Sequence, residues 1–380
     1  MRLNKMVIAA SVAALFAATP ALAQIKVGVS LSATGPAAAL GIPEKNAFAL
    51  MPAEVAGQKI EYIMLDDATD PSLGTKNARK LVSEDRVDVL VGSSATPASA
   101  AIAEVANESG TPQLALAPVT LQADKEKWVF RLPQHNKVMG SALIEHMKKT
   151  GVKSLGFIGY SDAYGEDWIT AMKPMLESAG IKFGPIERFN RTDTSVSGQV
   201  LKVVAARPDA VLVVGSGSPA ALPHTSLVER GYKGQIYQTH AAANPAFLRV
   251  AGKAAEGAIM PIGPVVVADQ VPDSHPSKQA GLGFVKAYEA KYGEASFSSF
   301  AGHAYDAFLL LQEAIPVALK SAKPGTPEFR KALRDALESG KEVVASHGVY
   351  KMTADDHFGA DERARVLVRV ENGAYKLLGN

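Results

Sequence analysis

The chain has 380 residues, with 40 Lys+Arg against 38 Asp+Glu and 47% apolar residues. That length can bury a large core and fits two domains, at roughly 150 residues each. No cysteine is present, which excludes a disulfide framework, a thiolate nucleophile and a lipid attached through cysteine.

Residues 1–23 open Met-Arg-Leu-Asn-Lys, run apolar over 6–18 and end in Ala21-Leu22-Ala23. A basic start, a short apolar stretch and an A-x-A site predict a secretory signal peptide cleaved after Ala23; a membrane span would need roughly 20 apolar residues. Without Arg2 and Lys5 the basic count falls from 40 to 38, so the remaining chain is formally neutral. Nothing in that balance favours nucleic acid or anionic lipid. The expected product is an exported, soluble protein.

The pattern Ile-Lys-Val-Gly-Val-Ser-Leu predicts a first strand over 25–31, then a turn-rich stretch over 32–36 and a helix over 43–55 stopped at Gly57. A second strand follows over 59–65. Its loop holds Asp66, Asp67 and Asp70, which lack the alternation and central glycine of a calcium loop, so they read as a solvated turn capping a helix over 73–84. A β-branched run over 87–91 stops at Gly92, and a helix start follows at once, with Thr96 as N-cap and Pro97 at the first helical position. Such a strand-to-helix junction offers free backbone N–H groups and the positive end of a helix dipole. With the hydroxyls of Ser93, Ser94 and Thr96 added, it suits a small anion such as a carboxylate. The helix ends at Gly110 and a fourth strand occupies 112–116.

The rhythm restarts after Pro133 with a helix to about 150, a strand over 154–160 and the loop carrying Tyr164, Gly165 and Glu166. Tyr164 sits at a strand end, where an aromatic can cover a ligand or pack within the lobe; Trp168 reads as core. Further on, residues 209–239 repeat the order of 87–120: Asp, apolar strand, Gly-Ser, Pro at the helix start, Gly at its end, strand. Duplication at the spacing of a domain means two similar lobes rather than a solenoid. Helices over about 276–292, 297–319 and 327–338 bring too few strands for a third sheet, and short strands are predicted over 343–345, 363–370 and 375–378. The expected fold is therefore α/β: two similar doubly wound parallel-sheet lobes joined by a three-crossing hinge, with a ligand cleft between them. Lobe one is expected over 24–132 plus 268–342, and lobe two over 133–267 plus 343–380.

Several chemistries are weighed against. The run Gly215-Ser216-Gly217-Ser218-Pro219-Ala220 resembles a dinucleotide fingerprint, but it is not on the first strand and 235–240 supplies no acid for a ribose. No Gly-x-Ser-x-Gly pentapeptide occurs, and Ser, His and Asp carry no local triad signature. The eight histidines are scattered singly, without a His-Glu-x-x-His helix. No metal and no cofactor are expected. His303, beside an apolar helix face, is either a packed core residue or a ligand contact. His240, at the end of the strand matching 112–116, points to the same edge.

Taken together, the signal peptide, the paired lobes, Ser-Ala-Thr-Gly-Pro over 32–36, Asp66-Asp67 with Asp70-Pro71, Tyr164-Gly165 and Tyr305-Asp306-Ala307 resemble the leucine/isoleucine/valine-binding-protein family. These are type I periplasmic solute receptors of ABC importers, and the resemblance covers essentially the whole mature chain. It implies a monomer in the periplasm, not lipid-anchored and not an enzyme, that closes on a ligand and docks on a membrane permease. It also implies that Ser94, Thr96 and the strand end around Ala115 and Ala117, with Thr120 nearby, hold a ligand carboxylate while Tyr164 closes over it. Two departures matter: the aromatic that follows the first-strand loop in amino-acid binders is Leu40 here, and the acid that pairs a ligand ammonium falls on His240. A buried ammonium without a carboxylate is costly. The expected ligand is thus a carboxylate with an apolar or aromatic body and no amino group, or a 2-oxo or hydroxy acid whose second oxygen meets His240, Ser216 or Ser218, with His303 beside it. The alternatives are a branched-chain amino acid receptor, a periplasmic ligand-sensing subunit and, more distantly, a secreted hydrolase using Ser94 or Ser216 with a histidine.

Overall fold

The computed structural model describes residues 24–379, and the expected signal peptide over 1–23 lies outside them. The first lobe is built from β1 (Ile25–Leu31), α1 (Ala38–Phe48), β2 (Glu54–Val55), β3 (Gln58–Asp66), α2 (Pro71–Ser83), β4 (Val89–Gly92), α3 (Thr96–Ser109), β5 (Gln113–Ala115) and β6 (Val129–Arg131). The second begins with α4 (Asn136–Lys149), β7 (Ser154–Tyr160), α5 (Ala163–Ser178), β8 (Lys182–Phe189), α6 (Ser197–Ala206) and β9 (Ala210–Val214). It continues through α7 (Ala221–Glu229), β10 (Gln235–Gln238), α8 (Pro245–Ala251) and β11 (Ile259–Ile262). The chain then runs through α9 (Lys278–Tyr292), α10 (Ser299–Ala318), α11 (Pro327–Leu337), the hairpin β12 (Val343–Val344) and β13 (Val349–Tyr350), and finally β14 (Val366–Glu371) and β15 (Ala374–Leu377).

The sheets have the orders β2-β3-β1-β4-β5-β6 and β15-β14-β11-β10-β9-β7-β8. Without the antiparallel edge strands, both become the same parallel series, in which the first strand lies between the second and the third. The direction of winding therefore reverses between β1 and β4 in one lobe and between β7 and β9 in the other. In such sheets the ligand crevice lies beyond the strand C-termini at that reversal. The sequence repeat of 87–120 in 209–239 corresponds to β4-α3-β5 and β9-α7-β10.

Some local expectations change. The helix predicted over 43–55 runs over Ala38–Phe48, with Pro43 inside it, and Val55 lies in β2. Gly57 is not a helix stop: with Ala56 it has positive φ in the two-residue turn joining β2 to β3. That is the backbone geometry favoured in tight hairpins. Strand β6 and helix α8 were not predicted, being a three-residue strand and a seven-residue helix, too short for a periodic signal. Asp70 caps α2 as expected, accepting from Leu73 N–H at 2.8 Å, but Asp67 is fully buried rather than solvated, accepting from Ser30 and Ser32 hydroxyls.

The core of lobe one joins its sheet to Phe284 and Tyr288 on α9, to α10 and α11, and to Ala345, Tyr350 and Met352. His357 stacks on Phe130 of β6 with ring centroids 4.1 Å apart. The segment from 343 to about 358 thus packs on lobe one, and the last crossing falls before β14, not near 343 as expected. The reason is that β12 and β13 pair only with each other, leaving β14 as the first strand to add to the second sheet. The three passages meet at His347. Its ring occupies the space that a Cβ would need at Gly263, after β11, and at Gly302, on α10. Nearby, Tyr350 OH donates to Leu132 O at 2.5 Å, which brings in the first passage.

Helix starts press tightly on the strand ends at both reversals. A Cβ on Gly165 would lie 1.8 Å from Tyr160 O, and one on Gly41 would lie 2.2 Å from Ser32 O. Backbone cannot yield cheaply there, so Gly165→Ala is expected to cost about 1–3 kcal/mol through displacement of α5. Denaturant unfolding measures this, and a loss below about 0.5 kcal/mol would refute the close-approach account.

Candidate ligand cleft

A cavity lies between the lobes at the two reversals. Lobe one gives it Ser94, Thr96 and Ala117 from the ends of β4 and β5 together with His303 of α10; lobe two gives it Tyr164, Arg191, Ser216 and His240. Its apolar wall is Leu40, Leu116, Pro118, Pro133 and Phe300. The lobes are in contact around it. Ala37, Leu40, Ala95 and Phe300 of lobe one belong to the same buried cluster as Tyr160, Tyr164 and Trp168 of lobe two.

Seven of the nine residues expected at the ligand line this cavity: Ser94, Thr96, Ala117, Tyr164, Ser216, His240 and His303. Ala115 and Ser218 do not. Ala115 is the last residue of β5 and faces Ala103 and Val129 inside lobe one, so the chain reaches the cavity just past the strand end, at Leu116 and Ala117. Ser218 starts a short 3-10 turn over Ser218–Ala220 that carries it past the cavity, leaving Ser216 as the hydroxyl at that wall. Thr120 is exposed and pairs with Asp167 of α5, across the cleft.

The polar ends of the cavity differ. On lobe one, Ser94 Oγ accepts Ser32 N–H at 3.0 Å and is hydrogen-bonded to Glu44 Oε2, while α3 aims its N-terminus at the same corner. Thr96 is the first residue of α3 rather than its cap; Ala95 holds that place, with no side-chain cap bond. The first-turn N–H groups there stay available to an anion. On lobe two, Arg191 donates to Asp162 Oδ2 at 2.6 Å and to Ser216 Oγ at 3.1 Å, and its guanidinium lies 4.1 Å from the centre of the Tyr160 ring. This fixed cation was absent from the sequence expectation. It sits in the loop after β8, where no motif marks it.

The remaining lining groups are neutral. Burial, with His347 adding to it, pushes His240 down to about 3, and the same causes hold His303 well below the ordinary histidine range. Nδ1 of each ring has no hydrogen-bond partner, and His303 stacks on His347 with centroids 3.8 Å apart. Tyr164 spends its hydroxyl on Thr239 Oγ1 at 2.8 Å, so the ring is what it offers to the cavity. Neither Ser94 nor Ser216 is bonded to a histidine. Ser299, His347 and Asp306 do form a chain, at 3.1 and 3.0 Å, but they are buried in the hinge and do not line the cavity. Among the described residues no group of His, Asp and Glu could hold a metal ion, and no helix is long and apolar enough to cross a membrane.

Comparison with known proteins places this geometry in a broader setting. A family model described as periplasmic binding protein matches residues 24–374. The chain is similar to an extracellular ligand-binding receptor from Rhodopseudomonas palustris HaA2, at 51% identity and a TM-score of 0.92, over 94% of this chain and 100% of that one. It is 25% identical to the Leu/Ile/Val-binding protein homolog 3 of Brucella melitensis, over 89% of this chain and 90% of that protein. Its fold is shared with a solute-binding protein of an ABC transporter from R. palustris solved in complex with benzoate, at 22% identity and a TM-score of 0.79, over 94% and 96% of the two chains.

Proposed function

The chain belongs to the periplasmic binding protein family, in its type I, Leu/Ile/Val-binding-protein-like branch, and on that premise we propose that it is a receptor for a small aromatic or apolar carboxylate without an amino group, delivered unchanged to the permease of an ABC importer. One observation carries the ligand class: the cavity wall includes a cation, Arg191, and no carboxylate. An amino acid would bring an ammonium that nothing on that wall can neutralise, at the cost of burying a charge unpaired. A carboxylate held between the lobes meets Ser94, Thr96 and the start of α3 from lobe one and Arg191 from lobe two, and Leu40, Leu116, Tyr164 and Phe300 bury the body beside it. The benzoate bound by the R. palustris solute-binding protein is a ligand of this kind. The two neutral histidines suit a second oxygen on the ligand, a keto or hydroxyl group, since an imidazole can donate or accept.

Receptor action follows from the division of the contacts. Lobe one and lobe two each carry part of the polar set, so a ligand completes its bonds only when the lobes close, and binding favours the closed form. A thermal-shift panel tests the class. Benzoate and 2-oxo acids are expected to raise the melting temperature, leucine and valine to leave it in place; strong stabilisation by leucine with benzoate inert would overturn the proposal.

A further inference from the structure

Ser94 is the hydroxyl that a carboxylate would meet on lobe one, and its other partners decide whether it can donate. Glu44, on α1, is fully buried and does not line the cavity, yet its Oε2 is bonded to Ser94 Oγ and its Oε1 has no partner. Ser94 Oγ already accepts Ser32 N–H at 3.0 Å. A serine hydroxyl has one proton and two lone pairs, so the proton on the Glu44–Ser94 bond sets what remains for a ligand. We infer that Glu44 is a positioning residue, held as the neutral acid, whose proton is donated to Ser94 Oγ so that the Ser94 hydroxyl is directed as a donor to the ligand carboxylate. This rests on the carboxylate reading of the cleft and explains how a buried acid and a bound anion share one serine.

The charged surroundings favour the neutral acid. The charge acting on Glu44 is Asp67, of like sign, from the loop after β3; burial is the larger effect, and the two together hold the Glu44 carboxyl well above the ordinary range despite the Ser94 bond. Asp67 itself is engaged by Ser30, Ser32 and Thr69 N–H. Helix α10 packs against α1 and brings His303, stacked on His347, Tyr305, stacked on Phe284, and Asp306, bonded to Ser346 and His347. The β4–α3 junction brings hydroxyls only, and Lys45 lies on the exposed face of α1. No cation therefore compensates an ionised Glu44. Were it to ionise, Ser94 would donate to it, the ligand oxygen would face a lone pair, and a buried negative charge would stand behind the anion.

Anion binding and proton binding are then coupled. A bound carboxylate favours protonated Glu44, so affinity is full below the Glu44 pKa of the free receptor and falls, by up to about tenfold per pH unit, as pH rises through it. Titration calorimetry with benzoate from about pH 5 to 10 reads this, together with infrared difference spectra of ligand-free wild type minus Glu44→Gln. The wild type is expected to lose affinity with rising pH, whereas Glu44→Gln, whose amide N–H donates to Ser94 at every pH, gives a flat profile. The difference spectrum is expected to contain the C=O stretch of a protonated carboxyl at pH 7. Absence of that band at pH 7, or its loss at higher pH without a matching loss of wild-type affinity, overturns the inference. Failure of benzoate to bind at any pH, with the band present, removes the ligand class and leaves the neutral Glu44–Ser94 donor standing.

Discussion

Replacing Asp306 with alanine is expected to destabilise the protein by about 3–5 kcal/mol, the cost of removing one partner from a buried network of charge-assisted bonds. Asp306 is fully buried on α10. Its Oδ1 accepts Ser346 N–H at 2.8 Å and Ser346 Oγ at 2.7 Å; its Oδ2 accepts His347 N–H at 3.0 Å and lies 3.0 Å from His347 Nδ1 and 3.2 Å from the Tyr350 hydroxyl, whose proton goes to Leu132 O. Alanine strands these donors with no route to water, and a buried unsatisfied group costs about 1–3 kcal/mol each, less than additively in one network. Asp306→Asn keeps the shape but turns an NH2 group toward donors, so it should recover only part of the loss. Urea unfolding followed by circular dichroism measures both. A loss under about 1 kcal/mol for the alanine variant would mean that the segment from 343 to 350 is held by packing alone.

The same node shows why the hinge was only partly legible in the sequence. Duplication was visible because the strand, Gly-Ser, Pro and Gly order is local and recurs, and each recurrence fixes a strand end at the cleft. Ser94, Tyr164 and Ser216 followed from that. The meeting of Gly263, Gly302 and His347 joins three distant stretches, and nothing in any one of them predicts that His347 must sit where two glycines lack a Cβ. The boundary near 343 was missed for the same reason, since the short β-branched run at 343–344 reads as a strand of the second sheet but pairs only within the β12–β13 hairpin. Glu44 was hidden by an error in the helix start: with α1 beginning at Ala38 rather than Pro43, Glu44 turns inward beside Leu40, Gly41 and Phe48. Ala115 and Ser218 were misplaced by one turn of local geometry each, a strand end and a 3-10 turn. Arg191 is different in kind, because a single cation in an irregular loop has no pattern to recognise until the fold folds it over Tyr160.

Arg191 is also where the largest effect on binding is expected: Arg191→Met should weaken benzoate binding by about 30- to 1,000-fold, corresponding to about 2–4 kcal/mol for losing a desolvated charged partner. Two terms add. The variant removes the cation on the cavity wall, and it leaves Asp162, now 2.6 Å from Arg191, without its partner and free to repel an approaching carboxylate. Asp162 cannot simply be dispensed with, since its other oxygen caps α5 by accepting Tyr164 N–H at 3.0 Å. Asp162→Asn keeps that cap through its amide oxygen while removing the competing charge, so the guanidinium is left to the ligand and benzoate should bind more tightly than to wild type. Arg191→Lys should fall between, because an ammonium cannot reproduce the forked contact to Asp162 and Ser216. Calorimetry on all three variants reads the affinities, with thermal unfolding of the ligand-free forms separating lost contacts from lost folding. Benzoate affinity within twofold of wild type in Arg191→Met would assign the carboxylate wholly to Ser94, Thr96 and the start of α3, and reduce Arg191 to a brace between Asp162 and Tyr160.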